Sequence, residues 1–282
     1  MRKYIIPPVV AVIGGVVGCA LRAWGLKTAF EPETGLPISG APATWVLILL
    51  SAAMVVALAA LLRRSRGNGV PGGYDRAFAV KNNTAYMTCM VLSGFAMIGA
   101  ALLMFLAFAQ RENTSVIRLI LAVMCLASGV CVLYTGKNNY RGEGKGKYSF
   151  HLLMPAYTCC VWLIAAYQVR AGDPVQLDYI YELFAIIAAL LGLYFTAGFS
   201  FAKPRLIPCA LFSLLGVYFS IVTLADGHDL ASTLLYGAVI LMPLVSTVVL
   251  LRNASMPEGA VEADPQADDT EEINEEGPSD ES

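Results

Sequence analysis

The sequence predicts an all-α, polytopic membrane bundle of eight transmembrane helices, and three features of the chain support this. Hydrophobic residues make up 57% of the 282 residues and charged residues only 14%, against roughly 45–50% and 25% in an ordinary soluble domain. Eight apolar stretches are each long enough to cross the hydrocarbon core of a bilayer, which takes about 20 residues. The loops between them are alternately rich and poor in Lys and Arg, the pattern of a chain threaded back and forth through a membrane.

The eight spans are placed by length and composition. Leu, Ala, Val, Ile and Met dominate each apolar stretch. Backbone groups in hydrocarbon must form their hydrogen bonds within the segment, so each stretch is predicted to be a helix. The predicted spans cover about 5–24, 43–63, 88–109, 116–135, 150–169, 178–200, 206–225 and 230–251.

The distribution of Lys and Arg predicts how these spans are oriented. Basic residues are retained on the cytoplasmic side of a membrane, so the side with more of them is predicted to be inside. This arrangement gives four in–out–in hairpins with both termini in the cytoplasm. Fourteen basic residues then lie inside: Arg2, Lys3, Arg63, Arg64, Arg66, Arg76, Lys81, Lys137, Arg141, Lys145, Lys147, Lys203, Arg205 and Arg252. Five lie outside: Arg22, Lys27, Arg111, Arg118 and Arg170.

The net charge of −2 conceals two parts of opposite character. The body, residues 1–255, carries all 19 basic residues and 10 of the 21 acidic ones. The tail, residues 256–282, carries the other eleven acids and few bulky apolar residues. Such a segment cannot bury enough apolar surface to fold, so we predict a transmembrane bundle over 1–255 and a disordered acidic cytoplasmic tail.

Two features of the spans leave alternatives open. Val16-Val17-Gly18-Cys19 also fits a bacterial lipoprotein signal cut before Cys19, although Pro7-Pro8 and the continuing apolar stretch favour an uncleaved helix. Pro155 and Pro208 begin two similar hairpins, which indicates either a tandem repeat or the preference of Pro for a first helical turn.

The pairs Gly14/Gly18 and Ala188/Gly192 are predicted to let neighbouring helices approach closely.

The middle of the spans carries no Asp, Glu, Lys, Arg or His on this threading. Proton relays and ion-coupled pumps carry ionisable groups at depth, so the sequence disfavours them. There is no HExxH or GxSxG motif and no spaced Cys/His cluster, so we predict no enzyme, metal site or cofactor. His151 and His228 are expected to be interfacial residues, and the seven Cys to be small packing residues.

Charged residues about one turn inside the predicted outer boundary form the candidate site. One interpretation is a polar outer vestibule, in which Glu182 pairs with Arg118 or Arg22 because a buried carboxylate needs a partner. The other is that these long side chains reach the lipid headgroups beside an aromatic belt of Trp24, Tyr179 and Tyr181. The candidate vestibule residues are Arg22, Arg118, Asp178 and Glu182.

Three classes of function remain, and the sequence assigns no specific activity. The favoured one is transport or binding of a small uncharged or amphipathic solute, or a lipid, through the bundle. The alternative is a non-catalytic membrane scaffold or regulatory subunit, and an enzyme acting at the membrane surface is least expected. We expect contacts with the bilayer, with anionic lipid at the basic loops 63–81 and 137–147, and with a basic protein at the tail. We expect no nucleic-acid partner, and the predicted location is the cell membrane.

Overall fold

The computed structural model describes residues 3–31, 36–38, 40–64, 73–80, 83–111, 115–142, 149–170 and 175–255. Over these residues the chain is helical, and eight helices are long and apolar enough to cross a membrane. This confirms the predicted fold class and indicates a multi-spanning membrane protein. The helices are α1 (Ile6–Thr28), α2 (Pro42–Arg64), α3 (Gly73–Ala77), α4 (Thr84–Ala109), α5 (Val116–Arg141), α6 (Ser149–Arg170), α7 (Gln176–Gly198), α8 (Leu206–Thr223) and α9 (Leu230–Ala254).

The predicted tail, 256–282, lies outside the described residues, as do positions 65–72, 81 and 143–147 of the two basic loops. The orientation in the membrane remains the one predicted from charge. We therefore call the end of the bundle that contains Arg22 and Arg118 the predicted outer end, and the opposite end the predicted inner end.

Two elements at the predicted inner end differ from the sequence prediction. The helix α5 continues to Arg141 instead of ending near 135, and Gly142, with φ of +65°, ends it in the left-handed conformation that favours glycine. The continuation is stabilised by Asn139, whose side-chain amide donates hydrogen bonds to the hydroxyls of Tyr74 (2.9 Å) and Tyr86 (2.8 Å). Tyr74 belongs to the short helix α3, which was not predicted.

Six consecutive helices form a closed ring. Each helix from α4 to α9 packs against the next one in the chain, and α9 packs back against α4. The helices α1 and α2 pack against α8 on the outside of this ring. In this order α6 and α9 occupy opposite positions, so contacts between their side chains cross the ring.

The surface of the bundle is apolar and its interior contains polar groups, as expected when the solvent is lipid. Large apolar side chains such as Leu49, Val56 and Phe95 are exposed on the outside. Inside, Ser128 on α5 and Thr158 on α6 are buried and share a hydrogen bond of 2.6 Å. Hydrocarbon offers no hydrogen-bond partner, so these hydroxyls bond to each other.

Glycines lie at close helix–helix contacts, as predicted for the pairs Gly14/Gly18 and Ala188/Gly192. A Cβ atom on Gly192 of α7 would lie 2.8 Å from the backbone nitrogen of Ser213 on α8. On α1, a Cβ on Gly14 would collide with Met54 of α2, and one on Gly18 would collide with Val222 of α8. Both predicted pairs therefore lie at helix–helix contacts.

Residues 73–80, which we call the inner segment, pack across the predicted inner end of the ring. The side-chain amide of Asn253 on α9 donates to the carbonyls of Ala77 (3.0 Å) and Ala79 (2.9 Å). Phe78 packs edge-on against Phe199, which follows α7. With the Asn139–Tyr74 bond, these contacts connect the ends of α5, α7 and α9 through one short segment.

We predict that Gly192→Ala destabilises the bundle by about 1–3 kcal/mol, the usual cost of inserting a methyl group where there is no space. Gly237→Ala on α9 is the matched control, because a Cβ there would meet no atom within 4 Å. Thermal unfolding of both variants in the same detergent measures the difference. Equal unfolding temperatures for the two variants would contradict the close α7–α8 contact.

Candidate functional site

A cleft of about 360 Å³ lies at the predicted outer end, at the mouth of the six-helix ring. Four ring helices, α4 to α7, contribute side chains to it, and the α8–α9 connection with the start of α9 completes the lining. Ligand-binding pockets typically have volumes of about 300–1,000 Å³, so the cleft is large enough for a small organic molecule.

One wall of the cleft is an apolar stripe on α6. It consists of Trp162, Ala165, Ala166 and Val169. Residues spaced by three and four positions lie on one face of a helix, so these four side chains form a continuous surface. Ile117 and Leu121 on α5 extend this surface.

The opposite wall is polar and is formed by the connection between α8 and α9. A short 3₁₀ turn, Leu224–Asp226, is followed by Gly227 with φ of +69°, a conformation that favours glycine. The carboxylate of Asp229 then caps α9 by accepting a hydrogen bond from the backbone N–H of Ser232. This tight turn places Asp226, His228 and Asp229 on the cleft.

A buried ion pair holds this connection against α1. The guanidinium Nε of Arg22 donates to Oδ1 of Asp226 at 2.6 Å, and the two side chains are only 5% and 6% exposed. The other carboxylate oxygen accepts a hydrogen bond of 2.7 Å from the hydroxyl of Thr223. The guanidinium also lies over the ring of Tyr181 on α7, 5.4 Å from the ring centre.

The same hydroxyl determines which nitrogen of His228 carries a proton. Oγ1 of Thr223 lies 3.1 Å from Nε2 of His228, and its single hydrogen is donated to Asp226. A hydroxyl that has given its hydrogen to one partner can only accept from the other. His228 Nε2 therefore carries a hydrogen, and the bonds run from His228 through Thr223 to Asp226.

A second ion pair lies at the mouth of the cleft, between Arg118 on α5 and Asp229. The Asp229 side chain is about half exposed, so this part of the cleft is accessible to solvent. Partial burial raises the pKa of Asp229, but the hydrogen bonds with Ser232 and the charge of Arg118 outweigh it and hold the pKa below its ordinary value. Asp229 is therefore ionised at neutral pH.

Two aromatic side chains meet across the ring below the cleft. Trp162 on α6 and Tyr236 on α9 have ring centres 4.8 Å apart, and Tyr236 is also 4.8 Å from the His228 ring. The Tyr236 hydroxyl is buried, and its polar neighbours are Thr223 and the cleft residue Glu182.

The four predicted vestibule residues lie at the same end of the bundle but have different surroundings. Arg118 and Glu182 line the cleft, whereas Arg22 lies behind Asp226. The side chain of Asp178 lies outside the described part of the chain. The idea that Arg22 extends to the lipid headgroups is wrong, because its side chain is buried against Asp226 and Tyr181.

Asp226 and Asp229 are the carboxylates that pair with the two arginines, and His228 bonds to Thr223; none of these contacts was predicted from the sequence. The sequence does contain an indication of this pairing. An arginine within a span needs a carboxylate at the same depth, and Asp226 and Asp229 both lie between the last two predicted spans. Among the described residues, no cluster of three His, Cys, Asp or Glu side chains could hold a metal ion.

No family model matches the chain, and comparison with curated proteins and with solved structures gave no match either.

We predict that Arg22→Met and Asp226→Asn each lower the free energy of unfolding by about 3–5 kcal/mol, the general cost of breaking a buried ion pair. The double variant should be more stable than the sum of the two losses implies, because neither charge then remains. Unfolding in SDS of the wild type, both single variants and the double variant measures this coupling. Strictly additive losses would show that the two side chains do not interact.

We predict that the stability difference between wild type and Asp229→Asn depends on pH. Asparagine keeps the helix cap but removes the charge, so the difference measures the ionised carboxylate alone. Because the folded pKa is lowered, the contribution is complete above about pH 5 and is lost as the pH falls through the folded pKa. It should be at most about 1 kcal/mol at this solvent-accessible site. Unfolding temperatures between about pH 3 and 7 measure it, and a constant difference would contradict the prediction.

Proposed function

We propose that this protein binds a small amphipathic solute in the outer cleft, as the first step in moving it across or along the membrane. The observation that supports this is the arrangement of the two walls at the mouth of the ring. The apolar stripe of α6 faces the α8–α9 connection, which carries Asp226, His228 and Asp229. A solute with one apolar and one polar part would match both walls simultaneously.

The apolar stripe suits a group the size of a phenyl ring. Trp162 provides an aromatic surface, while Ala165 and Ala166 leave space in front of the helix. Burying a side chain of phenylalanine size contributes about 1.5–3 kcal/mol to binding. Such a group together with one polar contact would give affinities in the high micromolar to millimolar range.

The lower part of the ring is closed in this conformation. Trp162 and Tyr236 meet below the cleft, and the inner segment packs across the other end. Passage through the ring would therefore require both contacts to open. Binding at the accessible cleft would precede such a step.

The other two classes have less support from the described residues. The scaffold hypothesis rests on the acidic tail and the basic loops, which lie largely outside the described part, so it stays a prediction. The enzyme hypothesis has one favourable observation, because His228 and three carboxylates border a single cleft. Yet Asp226 and Asp229 are held by Arg22, Arg118 and a helix N-terminus, an arrangement that suits recognition of a solute better than catalysis.

Trp162 provides a direct readout of binding, because the chain has only three tryptophans. The other two, Trp24 and Trp45, are exposed on the bundle surface and can be replaced by Phe. In this Trp162-only protein in lipid nanodiscs, we expect 2-phenylethanol, 2-phenylethylammonium or phenylacetate to change the tryptophan fluorescence with a saturable dependence on concentration. These three probes have similar shapes and differ in charge.

The matched control is the same protein with Ala166→Phe, which fills the space in front of α6. We expect it to keep the wild-type unfolding temperature within a few degrees and to lose the saturable response. Non-saturating changes of the same size in both proteins, for all three probes, would show that the probes only partition into lipid. The proposed function would then be wrong.

A further inference from the structure

The predicted inner end of the bundle carries a basic surface. Leu62, Leu206 and Leu251 belong to one buried apolar cluster at this end, and an arginine adjoins each of them in the sequence. Two of these arginines, Arg63 and Arg205, have exposed side chains. We call this surface the basic face, and its described members are Arg63, Arg64, Arg76, Lys137, Arg141, Lys203, Arg205 and Arg252.

The basic face has few acidic neighbours. Asp75 is the single acidic residue among the described residues of this end, and both ion pairs of the candidate site lie at the opposite end. Over the sequence of the body, the inner end has 14 basic residues against two acidic ones, Asp75 and Glu143, with His151 counted as neutral. A surface with an excess of one sign of charge concentrates ligands of the opposite sign.

The tail, residues 256–282, carries the complementary charge and is attached at the same end. It contains eleven acidic residues and no basic one. It follows directly on α9, which ends beside Arg252 and Asn253, the residue that binds the inner segment. The tail therefore begins next to the basic face whichever way the bundle is oriented in the membrane. Its eleven negative charges nearly equal the excess of twelve positive charges on the inner end.

The length of the tail is sufficient to reach across this end of the bundle. A flexible chain of 27 residues has a root-mean-square length of roughly 30 Å, whereas packed helices lie about 8–10 Å apart. Single exposed ion pairs are weak. A short tether nevertheless holds its ligand at an effective concentration in the millimolar range, so a contact with a millimolar dissociation constant is occupied about half of the time.

We propose that the acidic tail, 256–282, docks on the basic face of the same molecule. The contact is electrostatic and needs no fixed pairing, because several carboxylates can exchange among the same arginines and lysines. It goes beyond the proposed function, since it concerns the end of the bundle opposite the cleft. Any other acidic partner of this end has to displace the tail.

Anionic lipid headgroups are the alternative occupant of the basic face. Arg63 and Arg64 end the spanning helix α2, where a headgroup can reach them. Arg76, in contrast, belongs to the inner segment, which packs across the end of the ring and is held there by Asn253. A tethered chain can cross this end, whereas headgroups surround it. The arrangement of the basic residues therefore favours the tail.

The test uses the full chain, with one copy in each phosphatidylcholine nanodisc, and a carbodiimide that joins a carboxylate to a lysine amine in direct contact. Lys137 and Lys203 are exposed on the basic face, and Lys27 is exposed at the opposite end. Mass spectrometry of the peptides should find tail carboxylates joined to Lys137 and Lys203 and not to Lys27. Raising the salt from about 50 mM to about 1 M should lower these yields several-fold, because salt screens exposed charges.

Replacing two arginines of the basic face tests the surface without changing the tail. We expect Arg63→Gln with Arg64→Gln to lower the yield of the cross-link between the tail and Lys203 at least about twofold. The matched control is Lys27→Gln with Arg111→Gln, which removes the same charge at the predicted outer end. The control should leave this yield unchanged, and unfolding temperatures check that both variants keep the bundle intact.

Three outcomes would overturn the proposal. Yields at Lys137 and Lys203 that do not change with salt would show that the tail is held nearby by its tether alone. Cross-links found only when discs contain two copies would identify a second copy as the partner of the basic face. Loss of the cross-links in discs that contain phosphatidylglycerol would identify anionic lipid as its occupant. None of these outcomes bears on solute binding in the outer cleft, which is tested separately.

Discussion

The ion pair between Arg22 and Asp226 connects parts of the chain that are 204 residues apart, and both side chains are almost fully buried. A buried charge is stable only when a partner and further hydrogen bonds compensate it. Asp226 has both, since its second oxygen accepts from Thr223. The pair fixes the α8–α9 connection against α1, and this connection forms the polar wall of the cleft. The shape and the charge of the candidate site thus depend on one contact outside the six-helix ring.

The apolar solvent explains which features the sequence could predict. Spanning helices follow from length and composition, because hydrocarbon imposes both, and all eight were found by counting. The end of α5 and the helix α3 depend instead on hydrogen bonds between Asn139, Tyr74 and Tyr86, which are far apart in the sequence. Prediction of the candidate site was limited in the same way, because its ion pairs also join residues that are far apart in the sequence. Arg22, Arg118 and Glu182 were identified by their depth, whereas the pairing aspartates lie in a loop, where acidic residues are common.

The two ends of the ring differ in how accessible they are to a solute. At the predicted outer end, two ion pairs and a half-exposed carboxylate border an open cleft that Trp162 also lines. At the predicted inner end, Asn253 holds the inner segment through its backbone carbonyls, and Phe78 packs against Phe199. Between them lie small hydroxyl pairs such as Ser128 and Thr158. In the described part of the chain, the predicted outer end therefore carries an accessible cleft, whereas side chains and the inner segment fill the predicted inner end.

The separation of Arg22 and Asp226 along the chain has a consequence for biosynthesis. Ribosomes add about 5–20 residues per second, so α1 enters the membrane about 10 to 40 s before its ionic partner exists. During that interval the guanidinium can extend to the headgroups, because Arg22 lies less than two turns from the end of α1. A position at the centre of α1 would leave the charge stranded in hydrocarbon for the same time. The location of Arg22 near the helix end thus suits the order in which the chain is made as well as the finished fold.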